Sequence, residues 1–270
     1  MQRPDWAPAD VSVDTASPAR MYDALLGGSH NFEVDRMAAA GAVRMVPDLP
    51  RVAVSNRAFL RRAVRFLVDS GIRQFIDLGA GIPTVGNTHE VAQQADPGCR
   101  VVYVDIDSVA VAHATAILGD NPLASAVRGD VRTPDKVMVD PAVQRLIDWE
   151  QPVGVLLIAV LHMITDAEDP MEVVTGLRAA VPPGSYVAIS HLTSAQRPQD
   201  AKRLGTHAAN RSGVPIIFRT REQITGFFDG LTIVEPGVVE LPQWRPETPD
   251  DLPEPPGRSL GLAGVGRKDR

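Results

Sequence analysis

Three aspartates follow apolar runs along the chain, and each could bind part of a nucleoside. Asp77 lies in the run Phe75-Ile76-Asp77-Leu78-Gly79-Ala80-Gly81, and Asp105 and Asp130 end the next two predicted strands. Open α/β sheets hold their ligands at the carboxyl ends of the strands, where a carboxylate after the second strand can accept from both ribose hydroxyls. A carboxylate after the third strand can accept from the adenine amine. Each aspartate could instead be a turn former or helix cap. Because all three are expected at the same edge of the sheet, the ligand interpretation is favoured.

The glycines after Asp77 indicate which nucleoside this is. Gly79 and Gly81 leave no Cβ above the turn, so a ligand can lie against bare backbone. A nicotinamide fingerprint requires a third glycine where Thr84 stands, and no lysine follows as in a P-loop. The turn therefore favours S-adenosylmethionine, a ligand without phosphates. A nicotinamide-dependent oxidoreductase, and a regulatory protein that binds S-adenosylmethionine or S-adenosylhomocysteine without turnover, remain as alternatives.

The elements that must position these residues alternate between strands and helices, which predicts a mostly parallel α/β sheet covered on both sides. The predicted strands are 74–78, 100–104, 124–128, 153–160, 185–190, 231–234 and 259–265. The predicted helices are 19–26 after Ser17-Pro18, 34–46, 52–68, 85–95 capped by Thr84 or Asn87, 109–118 capped by Asp107-Ser108, 133–149, 170–180, 195–210 and 220–228 with a Thr220/Gln223 capping box. Residues 241–256 are proline-rich and are interpreted as a long loop. Four arginines of the third helix, Arg57, Arg61, Arg62 and Arg65, are interpreted as a solvated face, with an anion site as the alternative.

Composition limits the class of protein. With 270 residues the chain fits one large domain, or a domain with a cap. Its net charge of -6 argues against nucleic-acid binding. Cys99 is the only cysteine, which excludes an internal disulfide; we expect it to be buried, and we expect no metal site. We see no signal peptide and no apolar run of about 20 residues that could cross a bilayer. We therefore expect a cytoplasmic protein without membrane contact, and leave its oligomeric state open.

The chain resembles a known family in two sets of motifs. The residues 75–81, 101–107 and 129–130 resemble the nucleotide-binding motifs of the seven-stranded SAM-dependent methyltransferases. Other motifs look like the actinobacterial S-adenosyl methyltransferase family first catalogued as a domain of unknown function: Ser17-Pro18-Ala19-Arg20-Met21-Tyr22-Asp23, Leu25-Leu26-Gly27-Gly28, Asn31-Phe32, Asp35-Arg36, Asn56-Arg57-Ala58-Phe59-Leu60-Arg61-Arg62, Ala159-Val160-Leu161-His162 and Ala263-Gly264-Val265-Gly266-Arg267-Lys268. The resemblance covers nearly the whole chain.

This resemblance implies a fold and a set of roles. The fold is α/β, with a Rossmann-like seven-stranded sheet that is mostly parallel and has its last strand antiparallel. Residues 1–70 would form an N-terminal helical cap within the same domain, and residues 71–270 the SAM-dependent methyltransferase domain. The implied cofactor positions are Asp77, Gly79 and Gly81 at the methionine part, Asp105 at the ribose, Asp130 and Val131 at the adenine, and Ala159 near the sulfur. Ile106 is a further cofactor position, and Arg20, Tyr22 and Asn31 are the candidates for closing the site.

Histidines near the carboxyl ends of strands are the candidate bases. His162 and His191 both follow apolar strands, and an alcohol or phenol nucleophile would use a general base. We favour His162, which would also face the sulfur; the alternative is that each histidine only makes a hydrogen bond. His30 and His89 are interpreted as structural or exposed. The predicted activity is methyl transfer to a small-molecule acceptor that the sequence does not identify.

Overall fold

Eight strands form one sheet among the residues that the computed structural model describes, which are 12–83, 86–247 and 259–269. The strands are β1 (Gln74–Leu78), β2 (Arg100–Asp105), β3 (Ala124–Arg128), β4 (Gly154–Ile158), β5 (Tyr186–Leu192), β6 (Thr232–Ile233), β7 (Val239–Glu240) and β8 (Gly261–Arg267). Their order is β3-β2-β1-β4-β5-β8-β6, and β7 pairs with β8 outside this path. The first five strands are parallel, whereas β8 runs antiparallel to β5.

The register of the parallel strands brings their carboxyl ends to one level. Leu78 of β1 pairs with Val104 of β2, and Asp105 pairs with Arg128 of β3. The turns after these three strands therefore begin side by side. On the other flank, Ile158 of β4 pairs with Ser190 of β5. The chain segments that leave all five strands consequently border one crevice.

The helices lie on both faces of this sheet. They are α1 (Pro18–Leu25), α2 (Glu33–Met45), α3 (Leu49–Asp69), α4 (Thr88–Ala95), α5 (Ser108–Leu118), α6 (Pro134–Met138), α7 (Pro141–Leu146), α8 (Pro170–Ala180), α9 (Pro198–Ser212) and α10 (Arg221–Gly226), with short 3-10 helices at Leu161–Met163, Asp166–Glu168 and Leu241–Gln243. None of the helices described is long and apolar enough to cross a membrane.

Two hydrophobic clusters sandwich the sheet. One joins Phe59 and Leu67 of α3 to Phe75, to β8 and to Trp244; the other joins α7 and α8 to the opposite face. Phe59 meets the Trp244 ring edge-on, with centroids 5.3 Å apart. The helix α3 thus packs directly on the sheet, and α1 and α2 lie beyond it.

The fold class that the sequence predicts is confirmed, including the antiparallel last strand. The structure adds β7 just before the segment interpreted as a loop, and a 3-10 turn at Leu241–Gln243 at the start of that segment; residues 248–256 of the loop lie outside the described residues. The helical region expected over 133–149 contains two helices, α6 and α7, with a break between them. Asp140 starts a new helix there, because its carboxylate accepts from Ala142 N and Pro141 takes the first helical position.

Two predicted helix caps differ from expectation. The predicted cap Thr84 and start Val85 lie outside the described residues, and α4 begins at Thr88 with Asn87 at its N-cap position. Ser17 stands at the N-cap of α1 but its hydroxyl does not cap the helix; it donates to Asp107 instead. The Thr220/Gln223 capping box and the burial of Cys99 are confirmed.

Candidate functional site

A cavity of about 380 Å³ lies at the carboxyl ends of the parallel strands. Its floor comes from the turns after β1 to β5, and its roof from α1, α2, α3 and α9. Ten of the predicted site residues border it: Asp77, Gly79, Gly81, Asp105, Ile106, Asp130, Val131, Ala159, His162 and Tyr22. Arg20 and Asn31 do not. A cavity of this size is typical of small-molecule sites.

The glycine turn after β1 is built so that only glycine fits. Gly79 has a φ of +71°, and a Cβ there would lie 2.3 Å from Val160 Cγ2. Gly81 also has a positive φ, of +66°, but a Cβ there would meet nothing within 4 Å. Gly79 therefore lets two chain segments approach closely, whereas Gly81 leaves backbone open toward the cavity.

Asp105 ties the turns after β1 and β2 together. Its Oδ2 accepts from Gly81 N at 2.7 Å and its Oδ1 from Asp107 N at 2.8 Å. Burial raises the pKa of Asp105 to about 6, although these N–H donors act to lower it. Each carboxylate oxygen still has a lone pair, so the group can accept two further hydrogen bonds.

Asp77 is buried at the other side of the glycine turn, with 3% of its surface exposed. Its Oδ2 accepts from the Thr88 hydroxyl at 2.7 Å. Burial raises its pKa to about 6, against the lowering effects of Thr88 and of the positive charge of Arg57. Arg57 borders the cavity and donates to Asn87 Oδ1 at 3.1 Å, while its buried Nε has no hydrogen-bond partner among the described residues. A carboxylate and a guanidinium thus stand at one end of the crevice.

The third aspartate is already engaged by a neighbouring cation. Arg132 donates to both oxygens of Asp130, from Nε at 2.9 Å and from Nη2 at 2.7 Å. This contact lowers the pKa of Asp130. Val131 and the exposed Ile106 stand nearby on the cavity border, so an aromatic base could lie between two apolar side chains.

The two predicted cap residues outside the cavity are structural in their contacts. Arg20 is buried and pairs with Asp35 at 2.8 Å and with Asp107 at 3.3 Å. Asn31 donates to Asp23 Oδ2 at 2.7 Å and to the Gly28 carbonyl. Arg20 therefore reaches the cavity only through Asp107, and Asn31 shapes the turn between α1 and α2.

A chain of hydrogen bonds connects α1 to the end of β4. Asn56 donates to the Tyr22 hydroxyl at 2.9 Å and accepts from the Ser190 hydroxyl at 2.6 Å. Ser190 in turn accepts from Ala159 N at 2.9 Å. Ala159 has a φ of +58°, a strained conformation for a residue with a Cβ that is frequent at functional sites. These hydrogen bonds hold Ala159 in place beside the cavity.

Of the two candidate histidines, only His162 has a free ring nitrogen. Arg219 donates from Nη1 to His191 Nε2 at 2.9 Å, so His191 carries its proton on Nδ1, which donates to the Leu192 carbonyl. In contrast, the enclosed Nδ1 of His162 has no partner among the described residues. Burial, and then the charge of Arg219, lower the pKa of His162 to about 3. His162 is therefore neutral and able to accept a hydrogen bond.

His30, His89 and His113 do not border the cavity, whereas His207 does. His89 is buried and its Nδ1 contacts the Tyr103 hydroxyl at 2.7 Å. His30 packs its ring against His113. Both fit the structural role expected for them.

Sequence reasoning missed Arg57, Asn56, Ser190 and Arg219. The third helix was interpreted as presenting a solvated arginine face, but Arg57 borders the cavity, and Arg62 is buried and donates to the Trp244 carbonyl. The motif beginning Asn56-Arg57 was the available signal for two of the four. For Ser190 and Arg219 there was none, because their partners are distant in the chain.

Comparisons with known proteins identify the family of this chain. A family model described as S-adenosyl methyltransferase matches residues 4–269. The chain is similar to the crystal structure of a putative methyltransferase from Thermobifida fusca, with 41% identity over 99% of this chain and 100% of the other, and a TM-score of 0.91. A DUF574 family protein from Streptomyces avermitilis has 34% identity over 95% of this chain and 100% of its own, also with a TM-score of 0.91.

A more distant structure shares the fold. The structure of human N-acetylserotonin methyltransferase in complex with SAM is 15% identical in sequence. The match covers 94% of this chain and 61% of the human chain, with a TM-score of 0.51. No curated protein matches the sequence. Since the family model spans nearly all of the chain, this protein belongs to the S-adenosyl methyltransferase family and is a SAM-dependent methyltransferase.

Proposed function

We propose that the cavity holds S-adenosylmethionine across the glycine turn and a small-molecule acceptor under the helical roof. The observation that carries this proposal is the convergence of Asp77, Asp105 and Asp130 on one crevice whose floor is open at Gly81. When bound, S-adenosylmethionine supplies an activated methyl group: a lone pair of the acceptor forms the new bond to carbon, the carbon–sulfur pair stays on sulfur, and the acceptor's proton passes to water.

The described residues fit this ligand group by group. Asp105 has two unused lone pairs for the ribose hydroxyls, and Asp77 offers a carboxylate to the amino group. Arg57 borders the cavity and its charge acts on Asp77, so its guanidinium would donate to the ligand's carboxylate. Arg57 was not among the predicted cofactor positions, and we now add it.

We assign His162 to the acceptor. His162 borders the cavity and its ring is neutral, so it would accept a hydrogen bond from the acceptor's nucleophile and orient that atom toward the methyl group. A pKa of about 3 makes it a weak base, because general-base catalysis works best when the pKa lies near the working pH. The main contributions of the chain are positioning and exclusion of water, which can lower a barrier by about 7–11 kcal/mol.

Calorimetry tests the cofactor assignment. S-adenosylmethionine and S-adenosylhomocysteine should bind, and NAD should not. Asp105→Asn should weaken S-adenosylhomocysteine binding by roughly ten- to a hundredfold, because charge-assisted hydrogen bonds contribute about 1.5–3 kcal/mol each. Asp135→Asn is the matched control, since Asp135 is exposed on α6 and outside the cavity lining. Equal affinities for the two variants would refute the ribose assignment.

A further inference from the structure

The roof of the cavity is chemically different from its floor. We propose that the space beneath this roof is a preformed chamber for an uncharged, predominantly apolar acceptor. The proposal rests on the proposed function, because the chamber adjoins the cofactor crevice. It adds to that function the chemical class of the molecule that is methylated.

Aliphatic and aromatic side chains make up most of the chamber wall. They come from α1, α2, α3, α9 and the segment 214–218, and they are Met21, Leu25, Ala42, Leu49, Val52, Leu204, Ala208, Val214, Ile216 and Phe218. Leu204 and Ala42 also belong to a small hydrophobic cluster with Leu260, which fixes the base of this wall. The acceptor would therefore contact mostly carbon.

Ionised side chains of the cavity gather on the cofactor side. They are Asp77, Asp105, Asp107, Asp130 and Arg132 at the ends of β1, β2 and β3, together with Arg57. Within the described residues, the chamber wall itself contributes no carboxylate, lysine or arginine. A carboxylate or ammonium group on the acceptor would lose water there without gaining a partner, which is strongly unfavourable.

Polar groups of the chamber wall are mostly occupied. The Tyr22 hydroxyl donates to the Ala53 carbonyl, Ser212 donates to the Ala208 carbonyl, and His207 Nε2 contacts the Ala38 carbonyl. His162 also borders the cavity, with 4% of its surface exposed. Its imidazole is the hydrogen-bonding group that the wall would offer to the acceptor.

The walls are held in place before any ligand binds. His207 connects α9 to α2 at 2.8 Å, and Gly41 permits this contact, since a Cβ there would lie 2.6 Å from the imidazole. Arg197 at the start of α9 forms a two-point ion pair with Asp48, next to the start of α3. A preformed pocket selects its ligand by shape and polarity at little ordering cost.

Binding of two related fluorescent ligands to the full chain tests this inference. The protein is loaded with S-adenosylhomocysteine, whose binding is first measured by calorimetry, and is titrated with a naphthol and with the same naphthol carrying a sulfonate. The naphthol should bind at least about tenfold more tightly than the sulfonate. Ile216→Asp should weaken naphthol binding by at least about tenfold, and the control Ile216→Val should stay within about threefold of the unaltered protein. Both variants should bind S-adenosylhomocysteine within about twofold of the unaltered protein.

The outcomes separate the two proposals. Failure of S-adenosylhomocysteine to bind contradicts the proposed function itself. If it binds but the naphthol does not, if the sulfonate binds equally well, or if Ile216→Asp leaves naphthol binding unchanged, only the apolar chamber is overturned. Loss of S-adenosylhomocysteine binding in Ile216→Asp would likewise contradict the separation of chamber from crevice.

Discussion

Acidification should weaken cofactor binding because two of the acids that would hold the cofactor have raised pKa values. Burial raises the pKa of both Asp77 and Asp105 to about 6 in the ligand-free protein. Ribose hydroxyls and a ligand amino group both stabilise ionised carboxylates, so the bound state has lower pKa values than the free state. Affinity must therefore rise with pH up to the free-state pKa, and fall below it.

The size of the effect follows from the pKa values. A carboxyl group with a pKa of about 6 is about nine-tenths ionised at about pH 7 and one-tenth ionised at about pH 5, which corresponds to roughly tenfold in affinity. If Asp77 and Asp105 both have to ionise, the loss approaches roughly a hundredfold. The ligand's own amino and carboxyl groups do not titrate within this window.

Calorimetry with S-adenosylhomocysteine, repeated in two buffers of different ionisation enthalpy, measures both the affinity and the protons released. Binding at about pH 5 should release one to two protons, and binding at about pH 7 nearly none. Asp105→Asn should remove about one of these protons. A dissociation constant that stays level between these pH values, with no proton release, would refute the idea that these carboxylates bind the cofactor in ionised form.

Four further outcomes follow from single residues. Gly79→Ala should lower the free energy of unfolding by about 2–5 kcal/mol in urea titrations, because it combines a positive φ with a clash against Val160. Asn56→Ala should cost about 1–3 kcal/mol in the same assay by leaving Ser190 without its acceptor; an unchanged midpoint would contradict that role. With a naphthol acceptor at saturating cofactor, kcat should stay level from about pH 5 to 8, because His162 remains neutral there. His162→Gln should lower kcat at least about tenfold without altering S-adenosylhomocysteine affinity, and a bell-shaped profile centred near neutral pH would contradict the assignment.

The strands and the acidic turns could be predicted from the sequence because their signals are local. The buried strand β1 was predicted at its observed bounds, and β3 likewise. An apolar run followed by Asp or Gly determines both the end of a strand and the chemistry beside it. The parallel order then brings Asp77, Asp105 and Asp130 together without further information.

The roof of the site could not be predicted in this way because it depends on distant contacts. Asn56 joins Tyr22 to Ser190, which lies 134 residues further along the chain. Arg219 acts on a histidine 28 residues before it. An arginine that the helical pattern places on a solvated face can still be buried when backbone carbonyl groups of a remote segment accept its hydrogen bonds. Arg62 is such a case, because it donates to the carbonyl groups of Leu241 and Trp244.

Several polar groups of the site destabilise the ligand-free fold. Asp77 and Asp105 are carboxylates whose ionisation burial opposes, and His162 has a buried ring nitrogen without a partner. Stability alone would favour apolar residues at such positions, since unpaired buried polar groups are destabilising. In the proposed function, hydroxyl and amino donors of the cofactor would offset this cost at both aspartates, whereas the acceptor would contact the apolar chamber and His162. The cofactor and the acceptor would therefore complete the site at separate groups, so each can be tested by a variant that leaves the other's binding intact.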